Sequence, residues 1–291
     1  MEGGQPKAEL LAALGIPQDS RFVRMAGGSA AATWRLDLSS GSCALRVLAA
    51  EHLAALLLEA AAMGAARSAG LPAPEVLGLE VAGGVAGLLS SWRSGRTLAE
   101  ALLEGRATPG DLGRRCGELQ ALLNTTAAPQ GLVAVRHLSW QAPIPDEAAV
   151  LATVRDLRED RLLHLDFHPL NILTDSQDIT GVVDWVNAGA GDPRQDLARS
   201  LTILRLDVPN VLASSPAAVA VLQSLEEPWV AGYEAVAGRQ DDMATFLAWA
   251  GLRTLRDLAG KRSPDEFASM RADVEQWIVA AQKSRRGIGA P

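Results

Sequence analysis

Three polar side chains in the second half of the chain have the types and the spacing that phosphoryl transfer from a nucleotide requires. Asp166 is followed five residues later by Asn171, and Asp184 comes thirteen residues after Asn171. The Asp166 carboxylate can accept the proton of an attacking hydroxyl, whereas amide and carboxylate oxygens are the hard ligands that Mg²⁺ prefers. Asp166 is therefore the candidate catalytic residue, and Asn171 and Asp184 are the candidate metal ligands.

The spacing also predicts how the two metal ligands come together. Short apolar runs at 172–173 and 179–183 flank a polar turn, which is typical of a β-hairpin. Such a hairpin would hold Asn171 and Asp184 at adjacent ends, where they could share one metal site.

Residues 163–198 resemble the protein-kinase-like fold, whose catalytic loop reads His-x-Asp, four residues and Asn, with a metal-binding Asp further on. The narrower resemblance is to the aminoglycoside phosphotransferase and choline kinase family, and four short motifs carry it: His168-Pro169, Asp184-Trp185 in place of Asp-Phe-Gly, Gly191-Asp192-Pro193, and Asp196-Leu197-Ala198. No Ala-Pro-Glu follows the metal-binding Asp, so the activation segment of a protein kinase is absent. Ordinary turns also favour Asp and Asn, but they do not explain this spacing.

The resemblance implies a nucleotide-positioning loop at Gly27, Gly28 and Ser29, where small side chains let backbone N–H groups approach phosphate. Taken alone, a plain hairpin turn explains these three residues equally well. Within the catalytic loop, His164 and Asp196 are expected to brace the backbone rather than to react.

The phosphate-contacting cation must be an arginine, because lysine is scarce. The chain has three lysines, of which only Lys7 lies in the first third. In the fold that the chain resembles, a lysine on the third strand contacts the α- and β-phosphates and pairs with a glutamate on the next helix. Arg46 and Glu59 are the candidates here, and arginine supplies the same charge in a bulkier form. The one Gly-Lys pair, Gly260-Lys261, is followed by Arg262 rather than by Ser or Thr, which also excludes a P-loop.

The segment around Ser91 and Arg93 resembles the hinge that receives the purine edge through backbone groups. The Ser91 carbonyl and the Arg93 amide are expected to make those hydrogen bonds. The apolar walls above and below the base are expected to be Ala44, Leu89, Leu173 and Val183.

Composition limits the possible partners. The chain has 291 residues, is 48% hydrophobic and carries a net charge of −7, which argues against a disordered chain and against a nucleic-acid partner. No apolar run is long enough to span a membrane. The two cysteines, Cys43 and Cys116, have no metal-ligand spacing, so a reducing cytoplasm is the expected location.

The element pattern predicts the α+β class with two lobes, and the resemblance implies a bilobal protein-kinase-like fold. A helix at 6–15 and another at 51–69 accompany five strands at 21–26, 31–38, 43–48, 76–81 and 85–91, which would form one antiparallel sheet. The pattern changes after Gly95, which predicts an N-terminal nucleotide-binding lobe at 1–95 and a mainly helical catalytic and acceptor-binding lobe at 96–291. The predicted helices of the second lobe are 97–104, 109–126, 145–158, 193–206, 216–237, 240–259 and 264–284.

Together these features predict a small-molecule kinase that uses ATP, with GTP not excluded, and Mg²⁺. The expected acceptor is a hydroxyl of an antibiotic-like compound, and the expected state is a monomer or homodimer. Three alternatives stay open: a metabolite kinase of the same fold acting on choline, homoserine or a sugar, a nucleotide-binding regulator without catalysis, and a protein kinase. The acidic residues around 226–242 are expected to be a solvated helix face, with a rim for a cationic acceptor as the lesser alternative. Trp140 and Trp185 are expected to be core residues rather than an aromatic cage.

Overall fold

The computed structural model describes residues 5–25, 32–39, 41–132, 134, 149–152, 154, 156–208 and 215–288. The first part contains helix α1 (Ala8–Ala13), strands β1 (Arg21–Arg24), β2 (Ala32–Leu38) and β3 (Gly41–Ala49), helix α2 (Leu53–Ser68), and strands β4 (Val76–Ala82) and β5 (Val85–Ser91). The five strands pair antiparallel in the order β1-β2-β3-β5-β4. The sheet with one inserted helix that the sequence predicts is therefore confirmed.

The two faces of β3 have different environments because side chains alternate along a strand. Leu45 and Val47 are buried in a cluster with Leu10 of α1. Ala44 and Arg46 lie on the opposite face and are only partly buried. The sheet therefore presents Arg46 on the side away from α1.

The remainder of the chain is mainly helical, which confirms the α+β class. Its elements are β6 (Arg96–Thr97), α3 (Leu98–Leu103), α4 (Pro109–Thr125), β7 (Arg161–Leu163), β8 (Ile172–Thr174), β9 (Ile179–Val182), β10 (Gly189–Gly191), α5 (Pro193–Thr202), a π-helical turn (Ile203–Asp207), α6 (Pro216–Gln223), α7 (Glu226–Ala237), α8 (Met243–Leu258) and α9 (Pro264–Ile288).

The short strands hold the loops that carry the candidate site. Strands β8 and β9 form the predicted hairpin, and β8 also pairs with β6 along its other edge. Strand β7 pairs with β10. The segment from His164 to Asn171 connects β7 to β8, and Asp184 follows β9. The candidate residues therefore lie where neighbouring short strands end.

Helices α4 and α7 pack with their backbones in close approach, and glycine makes this possible. A Cβ atom placed on Gly117 of α4 would lie 1.9 Å from the Trp229 carbonyl oxygen, and one on Gly232 of α7 would lie 2.1 Å from the Arg114 carbonyl oxygen. No side chain fits at such distances, so both glycines are needed for this contact.

The predicted boundaries are wrong in several places for identifiable reasons. The single helix predicted at 216–237 is two helices, because Pro228 lacks an N–H and is tolerated only in the first turn of α7. The helix predicted from 240 begins at Met243, after Asp242 in the left-handed region. The helix predicted at 193–206 changes to π-helical geometry at Ile203. Of the helix predicted at 145–158, residues 149–151 are helical and 156–158 are not, whereas 145–148, 153 and 155 lie outside the described residues.

Two absences concern only the part of the chain that the structure describes. No helix there combines the length and the apolar character needed to cross a lipid bilayer. Cys43 and Cys116 are both buried and form no disulfide in this part of the chain.

Candidate active site

The Asp166 carboxylate lies in a close cluster with Asn171 and His168. Asn171 Nδ2 donates hydrogen bonds to Asp166 Oδ2 at 3.2 Å and to the Asp166 main-chain carbonyl at 3.1 Å. His168 Nε2 lies 3.4 Å from Asp166 Oδ1. Because the nitrogen of the Asn171 amide faces Asp166, its oxygen remains as an acceptor for a metal ion.

Asp166 is ionised at any pH near neutrality. Burial alone would raise the pKa of Asp166, but the hydrogen bond from His168 and the charges of His168, His164 and Arg199 outweigh it and lower the pKa to about 2. Such a carboxylate is a permanent hydrogen-bond acceptor and a weak base. It suits the orientation of a hydroxyl group better than early removal of its proton.

The backbone around Asp166 is held by buried groups. Leu165 has a φ of 62°, and its amide donates a hydrogen bond to Asp196 Oδ1 at 2.6 Å. His164 is buried, with Nε2 at 3.2 Å from the Val183 carbonyl oxygen and its ring 4.5 Å from that of Trp185. Burial lowers the pKa of His164, which favours the neutral ring. These contacts support the bracing roles expected for His164 and Asp196, and Trp185 is a core residue.

Asp184 and Asn171 come to the same end of the β8–β9 hairpin. The Val183 amide donates to the Asn171 carbonyl at 2.9 Å, directly before Asp184. Asp184 has a φ of 62°, and its side chain is 43% exposed. The turn into the left-handed region thus directs a solvent-accessible carboxylate beside the catalytic loop.

Arg46 connects the five-stranded sheet to this loop. Arg46 Nε lies 3.4 Å from Glu59 Oε2, and one terminal nitrogen of Arg46 lies 3.7 Å from Asp184 Oδ1. The contact to Glu59 is an ion pair without hydrogen-bond geometry, since Arg46 Nε has no hydrogen-bond partner among the described residues. The arginine expected from lysine scarcity therefore lies between its predicted glutamate and the candidate metal ligand.

Glu59 is the most perturbed carboxylate of this group. Burial raises the pKa of Glu59 to about 7, an effect that Arg46 opposes and Asp184 reinforces. Its proton is therefore bound or released within the physiological range.

The residues present fit a magnesium ion that is shared with a nucleotide. Mg²⁺ is commonly held by one or two protein oxygens together with phosphate oxygens and water, and the Asn171 amide and the Asp184 carboxylate supply two such oxygens. No group of three or more His, Cys, Asp or Glu side chains poised for a metal occurs in the described ranges.

The segment that connects the sheet to the helical part packs on the β8–β9 hairpin. Arg93 Nε donates to the Thr180 carbonyl at 2.9 Å. A Cβ atom on Gly181 would lie 3.0 Å from Arg93 Cβ and 3.1 Å from Leu173 Cδ1. The predicted hinge residue Arg93 and the predicted wall residue Leu173 are therefore neighbours around Gly181.

One predicted wall residue is wrong. Ala44 pairs with Ser90 and Arg46 with Leu88 across β3 and β5, and directly paired residues share a face of the sheet. Leu89 belongs to the opposite face, where it packs in the cluster with α1. Ser90 and Leu88 therefore share the face of Ala44 and Arg46, and Leu89 does not.

Several predicted residues lie outside the described part of the chain. These are the phosphate-loop candidates Gly27, Gly28 and Ser29, and also Trp140.

The predicted hinge residue Ser91 ends β5, where its amide donates to the Glu75 carbonyl at 2.8 Å.

Sequence reasoning missed a set of buried polar residues behind the catalytic loop. They are Gln120 and Asn124 on α4, Ser200 on α5, and Trp229 and Tyr233 on α7. The signal was present, because each helix places polar or hydrogen-bonding side chains four residues apart on a face that is otherwise apolar.

The chain is similar to one family model and to many solved structures. The family described as "Phosphotransferase enzyme family" matches residues 21–249. A search of curated proteins found no match.

Three solved structures illustrate the likeness of fold. A thermostable mutant of aminoglycoside phosphotransferase APH(4)-Ia, in a ternary complex with ADP and hygromycin B, is 18% identical with a TM-score of 0.60, covering 92% of this chain and 96% of its own. Aminoglycoside phosphotransferase APH(3'')-Id from Streptomyces rimosus is 22% identical with a TM-score of 0.56, covering 84% and 96%. Spectinomycin phosphotransferase APH(9)-Ia, in complex with ADP and spectinomycin, is 13% identical with a TM-score of 0.54, covering 90% and 93%.

Proposed function

Because the chain belongs to the phosphotransferase enzyme family, we propose that it transfers the γ-phosphoryl group of ATP to a hydroxyl group of an antibiotic-like small molecule. One observation carries this proposal: the Asp166 carboxylate and the Asn171 amide are in hydrogen-bond contact, and Asp184, which follows the residue bonded to the Asn171 carbonyl, lies 3.7 Å from Arg46. This cluster combines an acceptor for a hydroxyl proton, two metal-ligand oxygens and one cation.

Asp166 acts mainly by orientation. Its carboxylate accepts a hydrogen bond from the acceptor hydroxyl and points the hydroxyl oxygen at the γ-phosphorus. The transition state of phosphoryl transfer is loose, so the hydroxyl proton moves late and a weak base is sufficient. The pKa of about 2 keeps Asp166 ionised and ready for this contact.

In this proposal the negative charge of the nucleotide phosphates is stabilised by Arg46, Asn171 and Asp184. Arg46 contacts the phosphates, and Glu59 limits the directions that the guanidinium can take. Asn171 and Asp184 would hold Mg²⁺, which would supply neutralisation of the charge that develops on the transferred phosphoryl group. Most of the rate gain then comes from positioning and electrostatic stabilisation.

The nucleotide base is placed against the face of the sheet that carries Ala44 and Arg46. In this proposal the Ser91 carbonyl and the Arg93 amide bind the base edge, Leu173 and Val183 form the wall beneath it, and Gly27, Gly28 and Ser29 cover the phosphates. The lobes are then 1–95 and 96–291, with the nucleotide between them. Backbone recognition at the hinge accepts ATP and leaves GTP possible.

The antibiotic-like acceptor rests on analogy of fold. Solved structures of the same fold include complexes with hygromycin B and with spectinomycin. A metabolite kinase is the competing proposal, because the cluster around Asp166 serves any hydroxyl acceptor.

An assay of ADP release separates these proposals. The purified chain is incubated with Mg·ATP and a panel that includes aminocyclitol and aminoglycoside antibiotics, neutral antibiotics with free hydroxyls, choline, homoserine and simple sugars. We expect ADP release above background with at least one antibiotic and a mass gain of one phosphate in that compound. Activity with metabolites alone would replace the antibiotic proposal by the metabolite proposal.

The same assay, with a generic protein substrate added, tests the two remaining alternatives. Binding of Mg·ATP without transfer to any compound would favour a nucleotide-binding regulator. Labelling of a generic protein substrate by [γ-³²P]ATP, with no small molecule labelled, would favour a protein kinase.

A further inference from the structure

A chain of buried hydrogen bonds runs from α7 to the residue before Asp166. The Tyr233 hydroxyl donates to Asn124 Oδ1 at 3.0 Å. Asn124 Nδ2 donates to Asp196 Oδ2 at 2.9 Å, and the other oxygen of Asp196 accepts the Leu165 amide at 2.6 Å. The chain thus ends on the backbone immediately before the proposed catalytic carboxylate.

A second chain runs parallel to the first and ends on the residue after Asp166. Trp229 Nε1 donates to Gln120 Oε1 at 2.8 Å, and Gln120 Nε2 donates to Ser200 Oγ at 2.9 Å. Ser200 Oγ donates in turn to the Phe167 carbonyl oxygen at 2.7 Å. Gln120 and Ser200 each accept a hydrogen bond from the preceding member of the chain and donate one to the next.

The two chains arise from one helical repeat. Each of α7, α4 and α5 contributes one member to each chain, and the two members on a helix are four residues apart, which places them one turn apart on the same face. The pairs are Trp229 and Tyr233 on α7, Gln120 and Asn124 on α4, and Asp196 and Ser200 on α5.

The burial of these side chains indicates that their hydrogen bonds have a role beyond filling space. All six side chains are at most 4% exposed, and removing such polar groups from water is costly unless every donor and acceptor is paired. Apolar side chains would fill the same volume without that cost. The backbone they hold is also unusual, because Leu165 is a non-glycine residue at a φ of 62°, a conformation that its side chain disfavours.

We propose that Gln120, Asn124, Trp229 and Tyr233 are positioning residues for Asp166. They act through Asp196 and Ser200, which fix the backbone on both sides of the carboxylate and hold Leu165 in its left-handed conformation. This proposal rests on the proposed function only in taking Asp166 as the catalytic carboxylate.

The test uses substitutions that remove hydrogen-bonding atoms from the two chains. Tyr233→Phe deletes one hydroxyl from the first chain and is expected to fold, and Trp229→Phe removes the donor of the second. Asn124→Ala is the stronger variant of the first chain. Cys116→Ala is the matched control, because Cys116 is fully buried on α4 and belongs to neither chain.

Two measurements are made on the full chain. The first is hydrogen–deuterium exchange of the peptide that contains Leu165 to Phe167, measured without nucleotide and compared with a peptide from α8. The second is the hydrolysis of Mg·ATP with water as the acceptor, which gives kcat and the KM for ATP. Exchange needs neither ATP nor an acceptor, so it tests positioning even if the proposed function fails.

The expected result is specific to the loop. Tyr233→Phe and Asn124→Ala should speed exchange of the Leu165 peptide while the α8 peptide changes no more than in Cys116→Ala. They should lower kcat by about ten- to a hundredfold, the scale of a misplacement near 1 Å, with the KM for ATP changed less than twofold. Unchanged loop exchange in the folded Tyr233→Phe protein would overturn the proposal. Faster loop exchange with unchanged kcat would overturn it as well.

Discussion

At the scale of single residues, the site depends on one cation and two carboxylates whose surroundings differ. Arg46 contacts both Glu59 and Asp184, and in the proposed function it takes the role that the resembled fold gives to lysine. Asp166 has a lowered pKa and Glu59 a raised one. One carboxyl group is therefore ionised in the catalytic loop, and the other is close to half-protonated at neutral pH next to the sheet.

Arg46→Ala should weaken nucleotide binding, because the phosphates lose their only contact with a cation on β3. We expect the KM for Mg·ATP to rise about tenfold or more, consistent with the loss of a charge-assisted contact of about 1.5–3 kcal/mol. Steady-state kinetics at fixed acceptor measures this. Arg21→Ala, which removes an exposed arginine from β1, is the control and should leave the KM unchanged. An unaltered KM in Arg46→Ala would remove Arg46 from the phosphate site.

Glu59→Gln should change how stability depends on pH. The pKa of Glu59 is raised from 4.5 to about 7 by folding, so the folded chain binds its proton more tightly than the unfolded chain. Its favourable contribution is full below pH 4.5 and is lost as the pH rises through 7. Relative to Glu59→Gln, the wild type should therefore lose about 3 kcal/mol of unfolding free energy between pH 4.5 and 8.

Urea unfolding at several pH values measures this difference. Glu51→Gln, whose carboxylate is 80% exposed, should run parallel to the wild type. Parallel curves for Glu59→Gln as well would mean that the Glu59 proton is not bound more tightly in the folded state.

At the scale of elements, the helical layer behind the loop determines how accurately the site is built. Helices α4 and α7 approach closely at Gly117 and Gly232. This approach lets Trp229 and Tyr233 bond to side-chain amides on α4. The β8–β9 hairpin then brings Asn171 and Asp184 together. The close helix contact at the two glycines lies behind the catalytic loop, and the β8–β9 hairpin lies in front of it. Both help to fix the position of Asp166.

Gly117→Ala should destabilise the protein strongly, because its methyl group would lie 1.9 Å from a backbone oxygen that cannot move without displacing α7. We expect a loss of about 3 kcal/mol or more, the upper range for overpacking. Thermal or urea unfolding measures it. Gly110→Ala on the same helix, with nothing within 4 Å of the added carbon, should be neutral or stabilising by about 0.5–1 kcal/mol. Equal effects of the two substitutions would show that the close contact of α4 and α7 is absent.

The sequence predicted those elements whose signals are local. The resemblance and the scarcity of lysine selected Arg46, and the apolar runs around the turn predicted the hairpin that holds Asn171 and Asp184. Leu89 was assigned to the wrong face because the register between β3 and β5 depends on pairing that a single strand does not reveal. The helix boundary at Pro228 was missed although proline is a local signal, and the one at Asp242 follows from its left-handed backbone.

The polar network was not predicted because hydrogen bonds between distant residues leave little local signal. Gln120 and Ser200 are 80 residues apart, and Tyr233 and Asn124 are 109 residues apart. Their helical spacing was visible, but nothing in the sequence indicated which helix each side chain faces.

At the scale of the whole molecule, the acidic residues around 226–242 differ in their surroundings. Glu226 pairs with Arg205, whereas Asp241 and Asp242 line a cavity of about 550 Å³ together with Asp192, at the start of α5. The rim for a cationic acceptor stays a prediction.

Mg·ATP should stabilise the whole chain, because it would contact the sheet and the catalytic loop at once. At a concentration one hundredfold above its Kd, the gain is about 2.7 kcal/mol, which corresponds to a rise in Tm of a few degrees for a chain of this size. Differential scanning fluorimetry measures this rise. Removal of the metal with EDTA should reduce the shift, and an equal shift without metal would contradict a magnesium role for Asn171 and Asp184.

The most direct measurement is phosphoryl transfer by the wild type and by Asp166→Asn under identical conditions. Both proteins are given [γ-³²P]ATP, Mg²⁺ and the acceptor that the panel identifies, and labelled product is counted in a single turnover after nucleotide binding is matched. We predict that the wild type labels the acceptor hydroxyl, whereas Asp166→Asn binds ATP with similar affinity and labels it at least about a hundredfold more slowly. Equal rates of labelling by the two proteins would contradict the role of Asp166.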